Sequence, residues 1–302
     1  MKRILFVLML IFFALPLTAR AGDEDGQEEP APVLEEGPGR TLKIGERLIP
    51  LHARSLDLSG IDLSACDMDK LFAAMDRLEK IVMIDCGLDN EGYARLQDAH
   101  PGVRIIWEIK FSRRKLRTDA VGFSTFRGGD LDQPLSEKDA YYLRYCRDMV
   151  GLDLGHNAIY DFSFLQYMHE LQVFIMVDNP GLCDISMLKY APQLRYLEIF
   201  KNSITDLEAL KYLEELEDLN FSRNPVADIS PIEELPKLRR VTFMETAAST
   251  EDIAALRKKR PGVKIVTAGI NSLAGGWRED EHYYAMRRLL KNNEENSVYH
   301  RD

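Results

Sequence analysis

The side chains able to do chemistry are scattered rather than clustered. Six histidines stand at His52, His100, His156, His169, His282 and His300, none inside a recognisable motif. There is no Gly-rich phosphate loop, no nucleophile elbow and no paired-carboxylate motif. Four cysteines, Cys66, Cys86, Cys146 and Cys183, show no zinc-ligand spacing with those histidines. A short basic run, Arg113, Arg114, Lys115 and Arg117, is the one stretch that could dock an anionic polymer, though such a run is more often a solvated loop. Carboxylates are plentiful, and surface solvation or a repeating pattern accounts for nearly all of them. The expectation is therefore no enzyme, no cofactor and no metal.

What would position any functional side chain is a repeat. Four segments beginning at Met149, Leu171, Leu194 and Leu216 carry apolar residues at positions 1, 4 and 6, Asn at position 9 and an apolar residue after it. The period is 22 residues, stretched once to 23 around Asn179-Pro180-Gly181, and a fifth, decayed copy begins at Leu238 with Thr246 in place of Asn. A period in the twenties with this pattern is the leucine-rich repeat signature. In each copy a short strand alternates inward and outward side chains. Asn157, Asn179, Asn202 and Asn224 then turn the chain and are predicted to stack as a ladder that satisfies buried backbone groups. Asp161, Asp184, Asp206 and Asp228 follow at a fixed offset as N-caps of a short helical turn. Leu165, Leu188, Leu210 and Ile232 close the core from the convex side. No single copy can bury its apolar face alone, so stacking makes the fold. The predicted architecture is an α/β repeat solenoid, a leucine-rich repeat horseshoe with parallel strands on the concave face and short helical or 3-10 turns on the convex face.

Alternation assigns the concave surface. Positions 3, 5 and 7 give Gly151, Asp153 and Gly155, then Val173, Ile175 and Val177, then Tyr196, Glu198 and Phe200, then Asp218, Asn220 and Ser222. Strands about 4.8 Å apart bring Val173 beside Tyr196 and Val177 beside Phe200. This predicts an apolar patch between a Gly-lined dip and polar residues, and such patches mark contact sites. The candidate ligand-binding residues are Val173, Ile175, Val177, Tyr196, Glu198, Phe200, Asp218 and Asn220. The competing expectation is that the tail or an inter-array loop covers the patch within the same molecule.

The flanking segments follow in chain order. Residues 1–21, with Lys2, Arg3, an apolar run from Ile4 to Leu15 and Ala19-Arg20-Ala21, read as a secretory signal peptide; the run is too short to span a bilayer. Residues 22–39 carry seven acidic and no basic residues among Pro and Gly, the composition of a disordered spacer. The precursor's net charge is −10; without the leader's three positive charges and the spacer's seven negative ones, residues 40–302 carry −6, which argues against nucleic acid as a partner. Residues 40–110 read as a divergent repeat unit with its own cap, 111–148 as a connecting segment, 149–266 as the main array and 267–302 as a tail. LQDAHPGVRIIWEIKF and LRKKRPGVKIV have the same form, a helix end followed by a last strand, so each array is expected to close in the same way. Within 111–148, Ser136 and Asp139 form a capping box. Cysteines in an exported chain invite disulfides. Here Cys86 takes an Asn-ladder position and Cys146 a core position, and no pair is placed within bridging reach, so all four are expected to be free and buried. In the tail, Glu281 to Leu290 reads as a short amphipathic helix with Tyr284 and Met286 to Leu290 on its buried face. Its expected role is to cap the last repeat, the other reading being a docking tail.

The Asn and Asp-Ile-Ser elements resemble the short repeats of internalins and related bacterial surface proteins. RTDAVGFST, LRYCRDMVGLDLGHN, LEIFKN and the terminal GGWREDEHYYAMR further resemble a family of exported leucine-rich repeat proteins of gut Clostridia and their relatives, over about Leu56 to Arg287. The resemblance implies the fold and an extracellular or cell-surface location but no catalytic residues. Glu281 stands where that family would have Pro, which loosens the start of the last helix. The expected function is a secreted or surface module that binds an unidentified protein or peptide, with no membrane span in the mature chain. The alternatives are a cell-wall polymer or carbohydrate binder using the basic run and Trp277, and a structural scaffold.

Overall fold

The computed structural model describes residues 34–36, 40–44, 47–111, 114–125, 134–269, 277 and 281–292. The expected leader and most of the expected acidic spacer lie outside these residues. The spacer's last part does not: Leu34–Glu36 (β1) pairs antiparallel with Thr41–Ile44 (β2), which pairs with Arg47–Pro50 (β3). Backbone pairing is indifferent to the acidity of the side chains, which is why composition alone gave no sign of a strand there. Leu42, Ile44 and Ile49 of this meander are buried in the core, so it closes the open end of the first coil.

Three parallel strands follow, Ser55–Asp57 (β4), Lys80–Val82 (β5) and Arg104–Ile106 (β6), connected through helices Met68–Ala74 (α1) and Asn90–Ala99 (α2). Asp67 and Asp89 cap these helices through Lys70 N–H and Gly92 N–H. Helix α1 starts at Met68, directly after its Asp67 cap. An antiparallel hairpin, Glu108–Phe111 (β7) with Arg114–Arg117 (β8), then leads to Gly122–Ser124 (β9). Strand β9 falls in the predicted connecting segment, yet it is the first strand of the main sheet. It pairs in parallel with Gly151–Asp153 (β10), followed in order by Val173–Ile175 (β11), Tyr196–Glu198 (β12), Asp218–Asn220 (β13), Arg240–Thr242 (β14) and Lys264–Val266 (β15).

The convex side carries Glu137–Ala140 (α3) running into a 3-10 turn at Tyr141–Tyr145, then 3-10 turns at Ser163–Tyr167, Ser186–Tyr190 and Glu208–Tyr212. A short helix Ser230–Glu233 (α4) and the longer Thr250–Lys259 (α5) complete that side. The Asp residues act two positions upstream of these turns: Asp161, Asp184, Asp206 and Asp228 accept from the N–H of Ser163, Ser186, Glu208 and Ser230 at 2.7–2.9 Å. They are Asx turns set one residue before the N-cap. Both arrays end on a helix followed by a strand, α2 to β6 and α5 to β15. The two share one core: Trp107, fully buried, packs its ring 5.7 Å from Tyr93 and 4.9 Å from Tyr145.

Position 8 of the five coils that carry β10 to β14 has a left-handed backbone: His156, Asp178, Lys201, Arg223 and Glu245 lie at φ +54° to +60°. No Gly supplies this conformation, so the coil imposes it, at a cost of about 1–3 kcal/mol per residue. The reversal swings position 9 inward. Asn202 donates to Met176 O and Ile199 O at 2.7 Å and accepts from Asn179 N–H at 2.8 Å. Asn224 likewise bonds Ile199 O and Phe221 O at 2.9 Å and accepts from Ile204 N–H at 3.0 Å. Asn179 bonds Leu154 O at 3.1 Å, and Asn157 accepts from Leu135 N–H at 2.7 Å. Each amide thus joins its own coil to the one before. Cys86 stands in the equivalent place of the first array, its Sγ on Leu58 O at 3.1 Å.

Candidate functional site

Strand register builds the concave face in rows. Position 3 runs Gly122, Gly151, Val173, Tyr196, Asp218, Arg240, Lys264, and position 5 runs Ser124, Asp153, Ile175, Glu198, Asn220, Thr242, Val266. The register therefore brings the candidate residues together on neighbouring strands. It does not leave them open. Val173, Ile175, Val177, Tyr196, Glu198, Asp218 and Asn220 are buried, and Phe200 is half-buried. The expectation of an exposed patch is corrected by what lies on it.

The cover is the tail. Glu281–Asn292 (α6) lies across β9 and β10, and its Tyr283, Met286, Leu289 and Leu290, with Trp277, form one apolar cluster with Val173, Ile175, Val177 and Tyr196. Val121, Val150 and Phe200 pack around it. This cluster is separate from the solenoid core. The helix buries residues spaced i, i+3, i+6 and i+7, while Tyr284 is 58% exposed and Arg287 and Arg288 face solvent. The predicted buried face was rotated: Tyr283, not Tyr284, points in. The helix also lies on the first strands of the main sheet, so it is not a cap on the last repeat.

Two glycines make the seat. A Cβ on Gly122 would stand 2.5 Å from Leu289 O, and one on Gly151 would overlap Leu289 Cδ2. Of the predicted Gly-lined dip, Gly151 thus lies under the helix, while a Cβ on Gly155 would meet Asp153 and Val177 instead. Gly122 and Gly151 sit side by side in the position-3 row, a signal legible once β9 is counted as a strand.

Trp277 anchors the other end. Its fully buried ring lies 5.3 Å from the Tyr196 ring, and the Arg240 guanidinium stacks 4.3 Å from its centroid. Arg240 Nε donates to Asp218 Oδ1 at 2.9 Å, and its Nη1 donates to Trp277 O at 3.4 Å. Both side chains of this ion pair are buried, so removing either partner would strand a charge. Five strand spacings separate the Gly122 and Arg240 positions, roughly 24 Å. The polar remainder is also tied: Tyr196 O–H donates to Glu198 Oε2 at 2.9 Å, and Asn220 Oδ1 accepts from Ser222 N–H and O–H at 3.1 and 2.9 Å. Asp153 accepts from Ser124 O–H at 2.8 Å and Gly155 N–H at 3.0 Å. Asp218 and Asn220 are therefore structural members of the face rather than solvated rim residues.

The residues weighed for a polymer site are engaged elsewhere. Arg114 donates to the carbonyls of Ser124 and Thr125, Lys115 pairs with Glu108 at 2.9 Å, and Arg117 with Asp119 at 2.8 Å; Arg113 lies outside the described residues. Trp277 has no exposed surface to offer a sugar ring.

Outside the face, His156 and Asp178 meet at the surface. The exposed His156 Nδ1 lies 3.2 Å from Asp178 Oδ2, which also accepts from Lys201 Nζ at 2.8 Å. Partial burial works to raise the Asp178 carboxyl, but Lys201 and His156 outweigh it and hold it below the ordinary carboxylate range. Burial pushes the thiols of Cys146, Cys86 and Cys66 upward, the reverse of a reactive cysteine. All four cysteines are free, but Cys183 is exposed and Cys66 only half-buried, so the expectation of four buried thiols holds for two. Among the described residues no group of His, Cys, Asp and Glu could hold a metal ion.

Comparison with known proteins places this geometry. A family model described as leucine-rich repeats (2 copies) matches residues 192–237. No curated protein matches the chain in sequence. Among solved structures, internalin C2 of Listeria monocytogenes is 17% identical, with 47% of this chain and 80% of that one covered at a TM-score of 0.33. An internalin F of the same organism is 19% identical over 68% of this chain and 53% of that one, TM-score 0.35. A leucine-rich repeat protein of Leptospira interrogans is 15% identical over 65% of this chain and 56% of that one, TM-score 0.37. Asn-laddered coils, a seven-stranded parallel sheet and short convex turns, together with the matched repeats, make this fold an α/β leucine-rich repeat solenoid.

Proposed function

We propose that the protein is an exported or cell-surface interaction module that binds a protein or peptide through the concave face of its main array and does no chemistry itself. The observation that carries this reading is the apolar cluster on β11 and β12, which stands apart from the solenoid core and accepts side chains from another element. A surface of that kind, with Tyr196 within it and Phe200 packed against it, has the composition of an interface core. Export rests on the leader at residues 1–21; sequencing the N-terminus of the released protein should give a mature chain beginning at Gly22. Concave-face binding is tested with a photo-crosslinking side chain in place of Phe200, and a second in place of the exposed Tyr212 on the convex side. Envelope proteins should be crosslinked from position 200. Crosslinks confined to position 212 would move the interface to the convex surface.

A further inference from the structure

We propose that the concave face of β9 to β12 is a receptor for an amphipathic helix, and that α6 is the chain's own competing ligand. This deepens the interaction-module reading and rests on it for the partner's class: a protein presenting a helix with large apolar side chains at i, i+3, i+6 and i+7.

Three observations converge. The first is shape. Gly122 and Gly151 lie side by side in the sheet, and Leu289 descends into the gap they leave, so the seat is cut for one ridge of a helix. The second is chemistry. Val173, Ile175, Val177 and Tyr196 meet Tyr283, Met286, Leu289 and Leu290, an apolar stripe against an apolar stripe. Helix-in-groove recognition lays the apolar face of an amphipathic helix into a hydrophobic groove in this way. The third is separability. The residues that stack coil on coil, such as Leu152, Phe174, Leu197 and Leu219, belong to the other cluster. Departure of α6 therefore uncovers the patch without opening the solenoid core.

A tethered helix competes at a high effective concentration, of order millimolar for a short link. A free helix must then overcome the tail, and its apparent affinity falls by the fraction of molecules with the face open. Only a partner helix that binds better than α6 would be captured, which turns a sticky surface into a selective one.

The probe is a fluorescently labelled peptide of residues 277–292, added to the full chain and followed by anisotropy. Wild-type chain should bind it weakly. Met286→Glu with Leu289→Glu in the tail should raise the affinity roughly 10²-fold, the gain from removing an intramolecular competitor. Met286→Ala should shift it in the same direction by less. Adding Gly151→Leu to the double variant should abolish binding by filling the seat. Thermal melting by circular dichroism runs alongside. If both tail variants unfold the solenoid, or stay folded and take up no peptide, α6 is not a displaceable ligand and the inference fails. Peptide uptake without any envelope protein crosslinked at position 200 would support the receptor and sink the interaction-module reading instead. Crosslinking at position 200 without peptide uptake would do the reverse.

Discussion

The carbonyl oxygen of Leu289 lies 2.5 Å from where a Cβ on Gly122 would stand. Strand β9 is thus joined to the tail by a backbone-to-backbone approach that no side chain permits. At Gly151 the obstructing atom is the far end of the Leu289 side chain, which can change rotamer at about 0.5–1.5 kcal/mol. Gly122→Ala should therefore loosen α6 more than Gly151→Ala, by about 1–3 kcal/mol, the range of an overpacked contact. Hydrogen exchange of the 281–292 amides measures it. Equal protection in the two variants would mean that the helix shifts freely over its seat.

The Asn ladder gives a second test. Asn202→Ala removes two donated bonds and the acceptor for Asn179 N–H inside the coil, and should cost about 1–3 kcal/mol in denaturant unfolding. By alternation alone Asn220 would face solvent and its loss would cost little. Because it is buried and accepts from both Ser222 N–H and O–H, Asn220→Ala should cost about 1 kcal/mol as well. A silent Asn220→Ala would show that water reaches this face.

What was legible in the sequence, and what was not, follows from which interactions repeat. Leu152, Phe174, Leu197, Leu219 and Val241 occupy one position of successive coils and are all fully buried, so the period reports the core directly. Strand β9 was missed because Gly122-Phe123-Ser124 follows a hairpin instead of a coil and carries no Asn turn behind it. The tail's cover of the patch stood only as the competing expectation, for a different reason. An amphipathic helix announces that it will be covered, but not by which surface; only the pairing of Gly122 with Gly151, a property of sheet register, says where it can come close.

Thiol chemistry separates the four cysteines. With an aromatic disulfide reagent and no reductant, Cys183 should react at once and Cys66 slowly, while Cys86 and Cys146 should react only on denaturation. Fewer than four thiols in the denatured chain would reveal a disulfide.

Alkaline stability follows from Tyr93. Burial, against the opposing effect of its bond from Cys86 N–H, pushes its phenol from 10.0 up to about 12. A pKa raised by folding means stability fully present below the unfolded value and lost as pH rises toward the folded one. Stability should therefore fall between about pH 10 and 12, and burial raises Tyr142 and Tyr145 in the same direction. Ultraviolet titration should show tyrosines ionising late and together with unfolding. Simple titration of every tyrosine near its ordinary value would contradict the packing around Trp107.

Ile175→Glu with Phe200→Glu tests the concave cluster itself. On a freely exposed patch, these charges would leave folding unchanged and act only on a partner. Under α6, a carboxylate at position 175 must be desolvated if the helix stays, at a cost of several kcal/mol. Each large apolar side chain that the helix buries contributes about 1.5–3 kcal/mol, and the entropy lost in ordering the tail offsets part of that sum. The helix should leave, and the charges should hydrate. The solenoid should then keep its cooperative melt, since its core residues lie in the other cluster. The two tryptophans separate these events, because Trp107 belongs to the solenoid core and Trp277 to the tail cluster. Quenching by iodide should reach Trp277 alone in the double variant and neither ring in the wild type. If Trp107 becomes accessible too, the patch and the solenoid fold as one unit and α6 is part of the core.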